Sequence, residues 1–322
     1  MASAEVSQMS PHSNIQFGVY LPQLQMSFET IRDRVQLAER LGFHSAWFMD
    51  HLYAPGMPQV PAFEAWTTIT ALATVTERIR LGHLVLCNGF RHPAVLAKMA
   101  TSLDVISGGR LDLGIGSGSV PDEHRMFGLP FPDIRERTER LEESIQVMKL
   151  LFTQEEASFD GKYYRLDKAP SALRPVQQPH PPFHVGGGGE KFTLPLVARC
   201  ADSWNCPTYS LGELERKIEV LRTECARANR DFDTLHISEE AVLVLAPTKT
   251  TLEDAVASAQ RRYGGAGWGL NAGGFIGTPE DIIKRIREKA ALGVRLFVFF
   301  FHDRGRPESL ELFAREVAPA FA

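Results

Sequence analysis

The sequence predicts an α/β protein folded as a single (β/α)8 (TIM) barrel, and three observations support this fold class. Short apolar segments alternate with segments of helical periodicity along residues 15–322. No linker-like stretch divides the chain, and its 322 residues suit one barrel domain. The segment "LFVFFF" (296–301) is apolar on both faces, as are strands covered by an outer ring of helices. We therefore expect one barrel domain over residues 15–322, preceded by a flexible polar tail at residues 1–14.

The first half of the chain contains four strand–helix pairs. In the first predicted helix, Ser27 suits the N-cap position and Gly42 suits the stop. Between them, apolar residues recur at helical spacing. The four predicted strands lie at 15–22, 45–51, 80–87 and 110–119, and the helices that follow them lie at 27–42, 64–79, 93–109 and 135–152.

The second half resumes this alternation after an interruption. A Pro-rich stretch at 153–182 is predicted to be an insertion after the fourth βα unit, at the barrel mouth or a partner contact. The glycine-rich stretch 262–269 is predicted to be a mobile loop near the substrate entrance. The remaining strands are expected at 182–189, 202–208, 235–246 and 294–303, with helices near 192–201, 211–230, 251–262, 278–292 and 308–320.

Composition narrows the function classes. The formal net charge of -4 provides no basic surplus for nucleic acid or an anionic membrane. No apolar run approaches the roughly 20 residues of a membrane helix, and the first 14 residues lack the layout of a signal peptide. The four cysteines form no CxxC pair or disulfide framework, which predicts reduced thiols and a cytoplasmic location.

Polar and glycine-rich residues fall at the predicted carboxyl ends of the strands. In barrels of this class the chemistry gathers at that rim. We therefore expect the functional site there. The residues concerned are Asp50, His51, Cys87, Asn88, Gly116 to Gly118, Gly186 to Gly189, Asn205, His302 and Asp303.

The pair Asp50-His51 is the first candidate for catalysis. A histidine at a barrel mouth can donate, accept or transfer a proton near neutral pH, and we expect Asp50 to orient it. The alternative is that the pair anchors a loop through hydrogen bonds. Glu123 and His124 are further candidates for substrate contact, or else solvated loop residues. A metal site is not predicted, because the first strand offers no ligating residues.

Two glycine-rich stretches are candidates for ligand binding. The run 186–189 ends a predicted strand and opens a helix, so its N–H groups would form an anion nest with Lys191 beside it. The alternative is a tight turn that needs positive φ. The stretch "GIGSGS" (114–119) has GxGxG spacing rather than the GxGxxG of dinucleotide-binding folds. It would instead allow a flat ring or a phosphate to meet the backbone.

Several ordered motifs together resemble the luciferase-like monooxygenase superfamily, and more narrowly its branch that depends on the deazaflavin coenzyme F420. The resemblance covers roughly residues 15 to 300. It rests on "GFHSAWFMDHLYAP", "TERIRLGHLVLCNGFRHPAVLAKMATSLDVISGGRLDLGIGSG", "EHRMFGLPFPDIRERTERLEE" and "PPFHVGGGGEKFTLPLVARCADSWN". It implies a barrel with a flavin-like ring across its mouth.

The resemblance also assigns residues to the cofactor. It places His51 at the reacting ring and a third-strand bulge, often with a non-proline cis peptide, near Leu84-Val85. Leu84 is bulkier than the Gly, Ser or Cys common at that bulge. The cofactor-binding residues expected are Asp50, Leu84, Val85, Asn88, Gly116, Ser117, Gly118, Gly186, Gly187, Gly188, Gly189, Glu190 and Lys191.

The function implied is an F420-dependent oxidoreductase that transfers a hydride between the deazaflavin and a small organic substrate. One alternative is an FMN-dependent two-component monooxygenase, which uses O2 and reduced flavin from a partner reductase. Another is a flavin-binding barrel without catalysis. The expected partners are a small-molecule substrate, a separate flavin or F420 reductase and a second copy in a homodimer, with no nucleic acid and no membrane.

Overall fold

The structure is a computed structural model that describes residues 15–207, 212–263 and 270–322. Parallel strands close into a barrel in which β1 pairs with both β2 and β12, and β10 pairs with both β12 and β9. The predicted (β/α)8 barrel is confirmed. Its strands are β1 (Gln16–Tyr20), β2 (Ser45–Phe48), β3 (Arg80–His83), β5 (Leu111–Gly116), β8 (Phe183–Gly186), β9 (Ser203–Pro207), β10 (His236–Leu245) and β12 (Val294–Phe301).

Four shorter strands accompany the barrel. β4 (Leu86–Cys87) pairs with β5 above β3, so the third predicted strand is interrupted between them. β6 (Glu156–Asp160) and β7 (Arg165–Pro170) form an antiparallel hairpin within the stretch predicted to be an insertion. β11 (Phe275–Gly277) pairs with the end of β10.

Helices surround the barrel, and none of those described is long and apolar enough to cross a membrane. The first begins at its predicted cap, where Ser27 Oγ accepts a hydrogen bond of 3.2 Å from the Thr30 amide. The helices are α1 (Phe28–Arg40), α2 (Ala65–Ala73), α3 (Pro93–Ser107), α4 (Pro121–Met126), α5 (Ile134–Thr153), α6 (Thr193–Cys200), α7 (Leu214–Arg227), α8 (Lys249–Tyr263), α9 (Leu270–Gly273), α10 (Pro279–Ala291) and α11 (Pro307–Glu316).

Two local predictions were wrong. α2 ends at Ala73 rather than at residue 79, because Glu39 Oε1 accepts hydrogen bonds from the amides of residues 77, 78 and 79 and so stabilises a non-helical turn. The loop expected at 122–128 contains α4. The tail at 1–14 and most of the stretch 262–269 lie outside the described residues.

Trp47 fills the middle of the barrel. Its side chain is buried, and its indole Nε1 donates a hydrogen bond of 2.8 Å to Ser45 Oγ. A Cβ at Gly18 would lie 2.8 Å from the Trp47 ring, and a Cβ at Gly82 would lie 2.5 Å from it. Glycine at these two positions therefore makes room for the indole. A second core packs between the strands and the helices, with Phe17, Phe299 and Phe313 in mutual contact.

Candidate active site

A cavity of about 340 Å³ opens at the carboxyl ends of the strands, and we call it the mouth. The structure brings most of the predicted site residues to its wall. These are Asp50, His51, Leu84, Val85, Gly116, Ser117, Gly118, Glu123, His124, Gly186, Gly187 and Gly188. Asn88, Gly189, Glu190 and Lys191 are not among the residues that line it.

His51 and Glu123 form the polar pair of the mouth. The ring of His51 follows β2, and its Nδ1 atom lies 3.0 Å from Glu123 Oε2. Glu123 lies on α4, is only 1% exposed, and accepts a second hydrogen bond of 2.5 Å from the Leu52 amide. Because the carboxylate holds Nδ1, the other ring nitrogen, Nε2, is left for a ligand in the mouth.

Asp50 makes different contacts from those expected. We predicted that it would orient His51, but its carboxylate forms a bidentate ion pair with Arg91 at 2.7 and 2.9 Å and accepts a hydrogen bond from the Cys87 amide. Burial raises the pKa of Asp50, and the contact with Arg91 opposes that effect. Asp50 therefore fixes the end of β2 against the segment after β4, and Glu123 holds His51 in its place.

The peptide bond between Leu84 and Val85 is cis, at the position that the resemblance indicated. The side chain of Val85 projects from it toward β5 and β8. A Cβ at Gly116 or at Gly186 would lie 2.7 Å from a methyl group of Val85. The absence of side chains at these two glycines thus makes room for the residue that forms the floor of the mouth.

The glycine run 186–189 connects β8 to α6 less directly than predicted. Gly187 has a φ of +115° and donates its amide to the Asn205 carbonyl, at 3.1 Å. The helix begins only at Thr193, whose side chain lines the mouth. Three of the four glycines line the cavity, so the backbone there can meet a ligand.

Glu190 and Lys191 point to other surroundings. The Glu190 carboxylate pairs with Arg216 at 2.8 Å and with Lys217 at 2.7 Å. The Lys191 ammonium lies over the exposed side of the run, 5.4 Å from the ring of Phe192. The predicted contribution of Lys191 to an anion nest therefore has no support in its contacts.

His124 forms a wall of the mouth and is buried there. Its Nδ1 atom lies 3.1 Å from the Val120 carbonyl oxygen, and its Nε2 atom lies 3.6 Å from Cys87 Sγ. Burial raises the pKa of the Cys87 thiol to about 12, so this sulfur remains protonated. These contacts give His124 a structural position between two cavities.

The second cavity, of about 280 Å³, shares Ser117 and His124 with the mouth, and we call it the annex. Its described wall includes Arg91, Arg137 and Arg140 and contains no carboxylate. Asn88, predicted to bind the cofactor, lies in this wall and is 5% exposed. Among the described residues its Oδ1 atom has no hydrogen-bond partner. The annex is therefore suited to an anionic group.

Sequence reasoning missed several residues of these cavities. Arg137 and Arg140 were read as the polar face of a helix. Tyr20, Thr193 and Glu240 line the mouth, and of these only Tyr20 was considered, as a residue of the first strand. Burial, with the charge of Glu240, raises the pKa of the Tyr20 phenol, which therefore keeps its proton. Among the described residues, no group of three or more potential ligands could hold a metal ion.

The comparisons with known proteins agree with this geometry. The model of a family described as luciferase-like monooxygenase matches residues 9–272. The chain belongs to the luciferase-like monooxygenase family. The F420-dependent tetrahydromethanopterin reductase from Methanopyrus kandleri has the same fold, with a TM-score of 0.79 and 21% identity over 96% of this chain and 100% of that chain.

Relatives of this luciferase-like protein fall into two cofactor groups. An F420-dependent glucose-6-phosphate dehydrogenase from Microbacterium testaceum is 30% identical over 95% of this chain and 97% of its own length. An FMNH2-dependent dimethylsulfone monooxygenase from Pseudomonas putida is 28% identical over 89% of this chain and 86% of its own length. Membership of the luciferase-like family therefore leaves F420 and FMN as the two cofactors to consider.

Proposed function

We propose that this luciferase-like protein is an F420-dependent oxidoreductase that transfers a hydride between the deazaflavin and a small organic substrate. The observation that carries the proposal is the pairing of His51 with Glu123 at the mouth. Support for F420 comes from the relative named as an F420-dependent dehydrogenase, which aligns over 95% of this chain. F420 supplies or accepts the hydride, and the protein manages the accompanying proton.

His51 is proposed to be the proton-transfer residue. When Glu123 accepts a hydrogen bond from Nδ1–H, the neutral imidazole presents Nε2 as an acceptor. Nε2 then takes the hydroxyl proton when the substrate is an alcohol. In the opposite direction it returns a proton to the oxygen of a carbonyl substrate. This acid–base role contributes typically 10²–10⁴-fold to rate, as an order of magnitude.

The walls of the two cavities fit a flavin-type cofactor. Gly116 and Gly186 flank Val85 at the floor of the mouth, so the backbone there offers a surface without side chains. The phosphate of such a cofactor would meet the backbone at Gly187 and Gly188. Further negative charge on its tail would meet Arg137 and Arg140 in the annex.

The FMN-dependent two-component monooxygenase is the second candidate. The alignment with an FMNH2-dependent monooxygenase supports it. In that function reduced flavin would come from a separate reductase, and O2 would be the second substrate. A flavin-binding barrel without catalysis is a third candidate, in which the contact of His51 with Glu123 serves only to fix the loop after β2.

We also propose that the protein works in the cytoplasm as a homodimer. Four free cysteines among the described residues support a reducing compartment. Three apolar side chains of α3, those of Val95, Val105 and Ile106, are exposed and would be covered in a dimer. Size-exclusion chromatography with light scattering measures this directly, and a monomeric mass at micromolar concentration contradicts the proposal.

Titration of the purified protein with F420 and with FMN, in both redox states, tests the cofactor. Fluorescence quenching by F420 with weaker or absent quenching by FMN is expected. Tight binding of FMN without binding of F420 would favour the monooxygenase. Turnover is then measured with a panel of alcohols and carbonyl compounds. Loss of turnover in His51→Ala with retained F420 binding separates the catalytic function from mere binding.

A further inference from the structure

The mouth contains a carboxylate that the proposed proton transfer does not use. Glu240 lies on β10, in register with Pro207 of β9 and Val298 of β12, and is 3% exposed. It lines the same cavity as His51. A carboxylate at the edge of a low-dielectric cavity acts strongly on the charge of any ligand placed there.

The other charges of the mouth do not offset Glu240. Arg91 neutralises Asp50 through two hydrogen bonds. The carboxylate of Glu123 is engaged by His51 and by the Leu52 amide. Along the part of the wall that the structure describes there is no lysine or arginine. Near His51, an anionic substrate group would therefore be repelled, whereas a hydrogen-bond donor or a cation would be attracted.

Tyr20 stands beside Glu240 in the same wall. The negative charge of Glu240 contributes to the raised pKa of the Tyr20 phenol. This phenol packs edge-on against Phe300, with ring centroids 5.4 Å apart. The wall opposite the His51–Glu123 pair thus combines one carboxylate acceptor with one protonated phenol.

The rim near His51 is aromatic. The rings of Tyr53 and Phe127 stack at 6.4 Å with an interplanar angle of 16°. Phe127 is 52% exposed and follows α4, which carries Glu123. An exposed aromatic pair on the segments that hold the His51–Glu123 pair provides a surface for an apolar or aromatic substrate body.

On the basis of the proposed function, we propose that the substrate is an uncharged or cationic carbinol or carbonyl compound with an apolar body, and that Glu240 selects it by accepting a hydrogen bond from its donor group. Phosphorylated and carboxylated substrates are excluded from the mouth by the same carboxylate. This assigns Glu240 a role in substrate specificity, and it makes the anion-binding annex a site for the cofactor.

A matched series of ligands tests this charge selectivity. 1-Phenylethane-1,2-diol, 2-amino-1-phenylethanol, mandelate and mandelamide share a phenyl-bearing carbinol and differ in the charge and donors of one group. Each is titrated calorimetrically into the protein with and without F420, alongside glucose 6-phosphate. We expect the diol, the amino alcohol and mandelamide to bind at least about tenfold more tightly than mandelate, with no binding of glucose 6-phosphate in the mouth.

The variant Glu240→Gln should reduce the preference for the amino alcohol over mandelate by about tenfold, whereas Glu253→Gln, at an exposed position of α8, should leave it unchanged. Equal binding of mandelate and mandelamide to the wild type overturns the inference without any substitution. So does an unchanged preference in Glu240→Gln, or a failure of all four phenyl ligands to bind. Loss of F420 binding contradicts the proposed function instead, because the ligand titrations without F420 are read separately.

Discussion

His51 and Glu123 are 72 residues apart in the sequence, yet Nδ1 of the histidine lies 3.0 Å from Oε2 of the glutamate. The contact joins the loop after β2 to the short helix α4. It also fixes which ring nitrogen remains available in the mouth. A buried carboxylate in this position stabilises one tautomer of the neutral imidazole and the protonated imidazole that follows proton transfer.

The first prediction concerns this tautomer. In Glu123→Gln the amide can donate to Nδ1, which moves the imidazole proton to Nε2 and removes the acceptor from the mouth. We expect kcat for alcohol oxidation to fall about 10²-fold, with F420 affinity nearly unchanged. Steady-state kinetics and fluorescence titration measure the two quantities. Asp122→Asn, on the exposed side of α4, is the matched control, and equal kcat in the two variants would contradict the role of Glu123.

The second prediction concerns the ion pair of Asp50 and Arg91. Arg91→Met leaves a buried carboxylate without its partner, which should lower the free energy of unfolding at pH 7 by about 3–5 kcal/mol. Glu64, the more exposed partner of Arg91, provides the control, because Glu64→Gln should change the unfolding free energy by only about 0–1 kcal/mol.

The same variant has a defined pH dependence. Burial raises the pKa of Asp50 above its unfolded value. A raised carboxyl pKa favours the folded state while the group is protonated, and this contribution is lost as pH rises through the folded pKa. Without Arg91 to oppose the effect, the loss of stability in Arg91→Met should be greatest at neutral pH and smaller near pH 5. Urea unfolding at both pH values measures it, and an equal loss at both would argue against a buried ionised Asp50.

Sequence patterns were sufficient for the barrel because each strand is short, apolar and followed by a helix with its own caps. They also placed Asp50, His51 and the glycines of both loops at one rim, since parallel strands end together. Side-chain pairing was beyond them. Asp50 and His51 are adjacent in sequence, but their partners, Arg91 and Glu123, come from other elements.

The annex and Glu240 were missed for a related reason. Arg137 and Arg140 have the spacing of a solvated helix face, and nothing local distinguishes them from the other arginines of α5. Glu240 is a charged residue within an apolar strand segment, a signal that was available in the sequence. Its inward direction depends on the register of β10 with β9 and β12.

The third prediction concerns the glycine that faces the cis peptide. In Gly186→Ala the new methyl group would lie 2.7 Å from a methyl carbon of Val85, so the floor of the mouth must shift. Overpacking of this kind lowers the free energy of unfolding by about 1–3 kcal/mol, and cofactor affinity should fall with it. Val85→Ala should restore much of both losses when combined with Gly186→Ala. Additive effects in a double-mutant cycle would show that the two side chains do not meet.

The fourth prediction separates the two cavities by the part of the cofactor that each binds. Arg137 stacks on Phe131 at 3.8 Å, donates to the Pro132 carbonyl and has no carboxylate partner among the described residues. Its guanidinium is therefore free to bind an anion in the annex. Arg137→Ala should weaken F420 binding about tenfold, as loss of one charge-assisted contact does. Binding of the deazaflavin chromophore without its phosphate-bearing tail should be unchanged, and added salt should weaken F420 binding less in the variant than in the wild type. Arg135→Ala, at an exposed position of the same helix, is the control. Equal losses for F420 and for the tail-less chromophore would place Arg137 at the ring and contradict this division.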